Sequence, residues 1–241
     1  MSLLSMCQHV ADKAQIARPS VIVGSNGDAE RQLLACAREA GQEIYRKTDW
    51  IALTKEHTFS TVATQDDYDL PADFKRLDNQ TVWDRTNFWE MRGPLSAQQW
   101  QAYKSSILGD TVTVRKRYRI RNVSGELKFS IDPTPSSIDS LVFEYLSKFW
   151  VVDNGGTAKA DFTVDTDTTI WPDDDFVFQK GVEWRFLNRL GLAYEEERQE
   201  YYIELDRMKA QEGGAPVLRA HRTEKTVLIG PYNVPDTGFG A

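Results

Sequence analysis

Residues 171–190 read WPDDDFVFQKGVEWRFLNRL, and the reading of this stretch decides the fold. Pro172 followed by Asp173, Asp174 and Asp175 predicts a helix start, because carboxylates are stabilised at the positive end of the helix dipole. Phe178, Val182, Phe186 and Leu190 recur at steps of four, with Val177, Trp184 and Leu187 beside them. An apolar surface that wide belongs to a buried helix. Gly191 ends it, since glycine adopts the left-handed conformation at little cost. A second helix is predicted from about Tyr194 to Gln211, with Tyr194, Tyr201, Leu205 and Met208 on one face. Its remaining surface carries Glu195, Glu196, Glu197, Glu200 and Glu204, and the two helices form a hairpin.

The N-terminal segment supplies further helices. Leu3, Cys7, Val10 and Ala14 recur at helical spacing until Arg18-Pro19 stops the run. Ser25-Asn26-Gly27-Asp28 predicts the cap of a second helix of about twenty residues. Leu33, Ala37, Ala40 and Ile44 lie along it, and the small residues Ala37, Ala40 and Gly41 allow another helix to pack closely.

Between these helical ends the period changes to two. Thr58–Val62, Gln80–Trp83, Thr111–Arg121, Glu126–Ile131 and Leu141–Phe149 read as strands, separated by turns at Gln65-Asp66-Asp67 and Leu70-Pro71-Ala72-Asp73. Ser96 is placed to cap one short helix through Trp100 and Tyr103. The expected fold class is α+β: a helical bundle with a small, mostly antiparallel β region inserted. Its divisions are N-terminal helices over 1–50, a β-rich region over 51–170, a hairpin completing the bundle over 171–213, and an extended tail over 214–241. Gly213, Gly214 and Pro216 open that tail, whose single apolar patch, Val227-Leu228-Ile229, is too small to form a core.

The 241 residues are 41% hydrophobic and 27% charged, which fits a folded chain and excludes general disorder. The net charge is −7, and the acid excess falls in residues 140–213, with 8 basic against 16 acidic side chains. A globally basic nucleic-acid binder is therefore not expected. No apolar run approaches the length of a membrane span, and the N-terminus lacks the features of a signal peptide. Two cysteines, Cys7 and Cys36, make no disulfide framework and are expected as reduced, buried thiols of a protein folded in a cytoplasm.

Chemical motifs are scarce. His9, His57 and His221 stand apart, with no zinc-ligand spacing. The chain has no P-loop, dinucleotide fingerprint or nucleophile elbow, so no catalytic residue, metal ligand or cofactor is assigned. Asp165-Thr166-Asp167 followed by Asp173–Asp175 has the carboxylates of a calcium loop, but Ile170 stands where the turn glycine is needed. It is read instead as helix capping and a solvated acidic turn. Glu195–Glu197 is read as a solvated helix face, not a paired-carboxylate hydrolase site.

The most pointed polar feature is the stripe Arg115, Arg117, Arg119 and Arg121, which alternation places on one strand face opposite Val112, Val114, Tyr118 and Ile120. Four guanidiniums repel one another unless acids lie opposite. Local ion pairs, phosphate, or the acidic helices of a neighbouring copy would each answer that repulsion. On the last reading Arg115, Arg117, Arg119 and Arg121 meet Glu196, Glu197 and Glu200 of another subunit. Seven tryptophans admit an alternative function, a carbohydrate-binding tail or fibre module using exposed tryptophans, against packing in the core.

The order of aromatic and turn residues goes further. Trp50, Phe59, Thr61-Val62, Tyr68, Leu70-Pro71, Phe74 and Thr81-Val82-Trp83-Asp84-Arg85 resemble the N-terminal half of the phage head-to-tail adaptor (connector) family, tail tubular protein A-like. Gly93-Pro94, Trp100, Tyr118-Arg119-Ile120, Glu144-Tyr145 and Trp150 resemble its middle. Asp165-Thr166-Asp167, Gly181, Trp184-Arg185 and Gly191-Leu192 with Tyr194 are similar to its helical C-terminal part. The resemblance spans about residues 28–212. It implies a structural virion protein at the head-tail junction, forming a ring, commonly dodecameric, between the portal protein and the nozzle or next tail component. Such a ring retains packaged DNA and passes it on ejection without binding it specifically, and it involves no membrane. With that role, the acidic segment is expected to line a channel, and Arg219, Arg222, Val227, Leu228, Ile229 and Tyr232 of the tail to dock on the portal.

Overall fold

The computed structural model describes residues 1–105, 116–171 and 175–212. In chain order the helices are α1 (Leu3–Lys13), α2 (Asp28–Lys47), α3 (Ala97–Lys104), α4 (Asp175–Leu190) and α5 (Glu195–Glu212). The strands before α3 are β1 (Thr54–Ser60), β2 (Asp67–Asp69), β3 (Phe74–Leu77), β4 (Trp83–Asp84) and β5 (Trp89–Glu90). After it come β6 (Arg117–Val123), β7 (Glu126–Asp132), β8 (Ser140–Ser147), β9 (Val151–Val152), β10 (Ala158–Lys159) and β11 (Thr168–Thr169). The class is α+β with small antiparallel sheets. Contacts divide the described residues into two units, one formed by 1–54 with 147 onward and the other by 55–146.

In the first unit α4 packs against α1, α2 and α5. Its Val177, Val182 and Phe186 are fully enclosed, as the wide apolar surface requires. Small residues set the closest approach: a side chain on Gly181 would begin 3.2 Å from Ala40 and 3.0 Å from the Tyr201 ring. Gly41 admits the Trp150 ring rather than a helix. Trp150 stacks on Trp171 at 5.8 Å and meets Phe162 edge-on at 5.2 Å. Trp50, which closes against Trp171, donates its indole N–H to the Ile44 carbonyl at 2.7 Å. That bond ties the end of α2 to the chain leaving it.

The second unit is built on two sheets. One has the order β1-β8-β4-β5 with β3 also on β8, and the other the order β2-β7-β6. Phe129 stacks between Tyr118 at 5.2 Å and Phe143 at 5.4 Å, which joins the two sheets through one aromatic column. Ser96 starts α3 with a capping box, its hydroxyl accepting the Gln99 N–H while the Gln99 side chain accepts the Ser96 N–H.

Several local expectations change. Within the expected turn Ser25–Asp28 it is Gly27 that precedes α2, without a side-chain cap; Asp28 and Glu30 in the first turn serve the dipole instead. Asp67 belongs to strand β2, not to a turn, because it pairs with Ser130 of β7. Residues 147–170, expected with the β region, pack with the helices through Trp150 and Phe162 and form their own sheet β10-β9-β11. The turn at Asp165–Asp167 is solvated only in part, with Thr166 exposed and Asp165 half-buried. Asp167 is fully buried and accepts the Thr163 and Val164 N–H groups, while Asp165 accepts those of Ile22 and Val23. The expected tail over 214–241 and the first half of the arginine strand lie outside the described residues.

Gly41→Ala would place a methyl 2.1 Å from the Trp150 ring. The forced displacement is expected to cost about 1–3 kcal/mol. Urea denaturation should show a lower midpoint with an unchanged slope, whereas an unmoved midpoint would mean that Trp150 does not rest on α2.

Candidate functional site

Each unit turns most of its charge inward or onto itself, so the candidate site is what remains exposed. The arginine strand shows how. On β6, Tyr118 and Ile120 face the aromatic core, while Arg117, Arg119 and Arg121 alternate toward α3. Arg117 is buried, lies 3.0 Å from Asp132 of β7, and stacks 3.9 Å from the Tyr103 ring of α3. Arg121 donates to Asp67 at 3.0 Å and to the Ser130 hydroxyl at 2.7 Å, with its guanidinium 5.5 Å from Trp100. Burial works to raise the Asp67 carboxyl, but the Ser130 and Arg121 hydrogen bonds outweigh it and hold it below the usual carboxylate range. Local acids on β2 and β7 therefore answer the arginine repulsion. Arg119 has no ion pair among the described residues, and Arg115 lies outside them.

A second polar cluster holds three loops together. The Lys116 ammonium bridges Asp84, at 2.8 Å, and Asp139, and both carboxylates are nearly inaccessible. Asp84 also accepts the Thr86 and Asn87 backbone N–H groups at 3.0 Å and the Asn87 amide at 2.9 Å. The Asp139 N–H donates to the Thr61 hydroxyl at 2.8 Å. Residues 61–66, 85–88 and 133–139 thus share one anchor. Burial opposes the charge on Asp84 and Lys116, yet their mutual bonds prevail: the Asp84 carboxyl is held low and the Lys116 ammonium high.

In the first unit the charges of α4 are matched element by element. Lys13 of α1 binds the buried Glu183, Glu200 of α5 binds Lys180 at 2.6 Å, and Glu43 and Glu39 of α2 bind Arg185 and Arg189. Glu200 is thereby engaged within its own chain, while Glu196 and Glu197 have no ion pair among the described residues. The outer stripe of α5 carries Glu195, Glu196, Arg198, Gln199, Tyr202, Ile203 and Asp206, with only Tyr201 and Leu205 of that helix buried. Sequence reasoning passed over Tyr202 and Ile203, because α5 has no sharp apolar face to set them off.

Other candidates lose support. Cys7 and Cys36 are buried, and burial pushes their thiols up to about 12 and about 11, aided at Cys7 by Asp165 and opposed at Cys36 by Arg189. No group of His, Cys, Asp and Glu among the described residues is arranged to hold a metal ion. Most tryptophans pack inside, as expected: Trp50, Trp100, Trp150 and Trp171 are buried, Trp83 and Trp184 half-buried, and Trp89 exposed, which leaves little for the alternative of tryptophan platforms. Arg219, Arg222, Val227, Leu228, Ile229 and Tyr232 lie outside the described residues. No helix among those residues is long and apolar enough to cross a membrane.

A family model described as SU10 adaptor protein matches residues 1–223. The chain belongs to the SU10 adaptor family. This is a phage head-to-tail adaptor family, so the protein is a phage adaptor with a structural role in the virion. A comparison with curated proteins found no match.

Lys116→Met leaves two buried carboxylates on the adaptor without their cation, and the expected loss is about 3–5 kcal/mol by urea denaturation. Arg119→Ala, by contrast, should change stability by about 0.5 kcal/mol or less. Equal effects would contradict the assignment of Lys116 as the anchor.

The depressed carboxyls of Asp67, Asp84 and Asp167 make the adaptor acid-sensitive. The unfolded chain takes up their protons first, so their stabilisation is complete above about pH 4 and disappears as pH falls through the lower native values. In wild type the urea midpoint should fall steeply below about pH 4. Asp84→Asn should flatten that fall, and an equally steep fall in the variant would contradict the assignment.

Proposed function

We propose that the adaptor assembles as a ring, commonly dodecameric in such junctions, between the portal protein and the nozzle or next tail component. The ring holds packaged DNA and passes it on ejection. The observation that carries this reading is the family match across residues 1–223. Two features support it: charges cross-link the helices around α4, which suits a part under load, and the acidic surface of α5 suits a passage that DNA must not adhere to. A non-enzymatic role follows from the same assignment.

Copies would meet through the acids of α5, with Glu196 and Glu197 facing a basic surface of the next subunit. Arg117 and Arg121 already hold Asp132 and Asp67, which leaves Arg119 as the contribution of the described part of the stripe. The tail would dock on the portal through Arg219, Arg222, Val227, Leu228, Ile229 and Tyr232, because a basic and apolar segment gains most by ordering on a partner.

Co-sedimentation with the portal ring of the same phage, using the full chain and a chain ending at Gly213, tests both statements. The full chain should bind saturably and the shortened chain should lose binding. Undiminished binding of the shortened chain would move the portal contact into the folded units, and no binding by either chain would overturn the adaptor ring.

A further inference from the structure

Strand β8 turns Leu141, Phe143 and Tyr145 into the aromatic core of the second unit, so Val142 and Glu144 lie on the opposite face of the sheet. That face holds a groove of about 390 Å³, lined by Val142, the half-buried Trp83 and Phe88, which is 64% exposed. The charged groups around these side chains are Glu56 of β1, Asp84 of β4 with Arg85 just after it, and Glu144. Three of the four are already answered. Asp84 is held by Lys116 at 2.8 Å, and Glu56 accepts from Arg85 at 2.8 Å. Glu144 is exposed and has no ion pair among the described residues. Its backbone is fixed, since its N–H donates to the Thr81 hydroxyl at 3.1 Å. One carboxylate left over beside aromatic rings is the chemistry that receives a cationic side chain, through an ion pair and the attraction of a cation for a ring face.

The chain supplies such a cation close by. Helix α5 ends at Glu212, whose carboxylate accepts the Ile51 N–H. Ile51 stands just before β1, the strand that carries Glu56, so the chain beyond α5 departs beside the start of that strand. Residues 217–225 follow, with Arg219, Arg222 and Lys225 against one acid, Glu224. The stretch from Glu212 to Arg219 reaches about 23 Å when extended, whereas the chain from Ile51 to Glu56 spans at most about 18 Å. An arm that short keeps its cations near the groove at an effective concentration on the order of 1 mM, which favours it over a separate molecule of the same chemistry. The rest of the tail, 226–241, carries one charged side chain, Asp236, and offers the groove no cation.

We propose that, in the free adaptor, this groove seats the basic run Arg219–Lys225 of its own tail, with an arginine of that run against Glu144 and the Trp83 ring. The contact goes beyond the portal reading. Arg219 and Arg222 are the residues offered to the portal, so the groove keeps the tail on its own chain until the portal takes it by exchange.

The test uses the dilute full-length adaptor without portal. Trypsin cuts after arginine and lysine, so cleavage within 219–225 reports whether the tail is seated. Glu144→Lys should speed that cleavage about fivefold or more at unchanged melting temperature. Adding Arg219→Glu and Arg222→Glu to the Glu144→Lys chain should make cleavage after Lys225 slower than in the chain with the two tail changes alone. In parallel, a photoreactive benzoylphenylalanine at Phe88 should cross-link to residues 217–229 of the same chain, as read by mass spectrometry on a mixture of ¹⁵N-labelled and unlabelled protein. Cleavage indifferent to the charge at position 144, no rescue, or cross-links absent, directed elsewhere or joining two copies would each overturn the proposal. None of these results bears on the ring, which stands or falls by co-sedimentation with the portal.

Discussion

Helix α4 is surrounded by other elements and yet carries Lys180, Glu183, Arg185 and Arg189 among its apolar residues. A buried charge is tolerated only where an opposite charge and further hydrogen bonds meet it, and removing one member of such a pair typically costs about 3–5 kcal/mol. The first unit meets this demand from every side. Lys13 comes from α1, Glu39 and Glu43 from α2, and Glu200 from α5. Apolar packing alone would let these helices slide over α4 with little change in buried area. The ion pairs specify which turn of each neighbour stands beside which turn of α4, and Gly181 against Ala40 fixes the depth of contact. The placement of the remaining helices follows from that registry.

The second unit applies the same rule to loops and strands. Lys116 anchors three loops through Asp84 and Asp139, and the β6 arginines are absorbed by Asp132 and Asp67 under α3. This internal accounting matters for an adaptor. A protein that must join one partner above and another below needs surfaces that neither collapse onto the protein itself nor shift under load. Charges consumed inside bind each unit together, while Glu196 and Glu197 of α5 and Arg119 of β6 have no ion pair among the described residues.

Much of this was legible in the sequence. The step-of-four apolar row from Phe178 marks a buried helix, and Ser96 with Gln99 marks the start of α3 in the expected place. The small residues of α2 announced a close approach, although periodicity did not reveal that Trp150 fills the gap at Gly41. The strands β9, β10 and β11 have two residues each, too few for any alternation to register, so the sequence groups residues 147–170 with the β region while the structure packs them with the helices. The arginine stripe is visible as alternation, but its acidic partners are 15 and 54 positions away: Arg117 with Asp132 is set by hairpin register, and Arg121 with Asp67 by a third strand. Long-range pairing of that kind leaves no local signature. Tyr202 and Ile203 were missed for a related reason: α5 is polar nearly all round, and which of its few apolar residues face outward depends on how it docks on α4.

The central claim is that ion pairs hold α4 in register with the helices around it. A double-mutant cycle of Arg185→Met and Glu43→Gln, read by urea denaturation, measures this most directly. The account predicts a coupling of about 0.5–3 kcal/mol between the two sites. Additive effects with no coupling would contradict it.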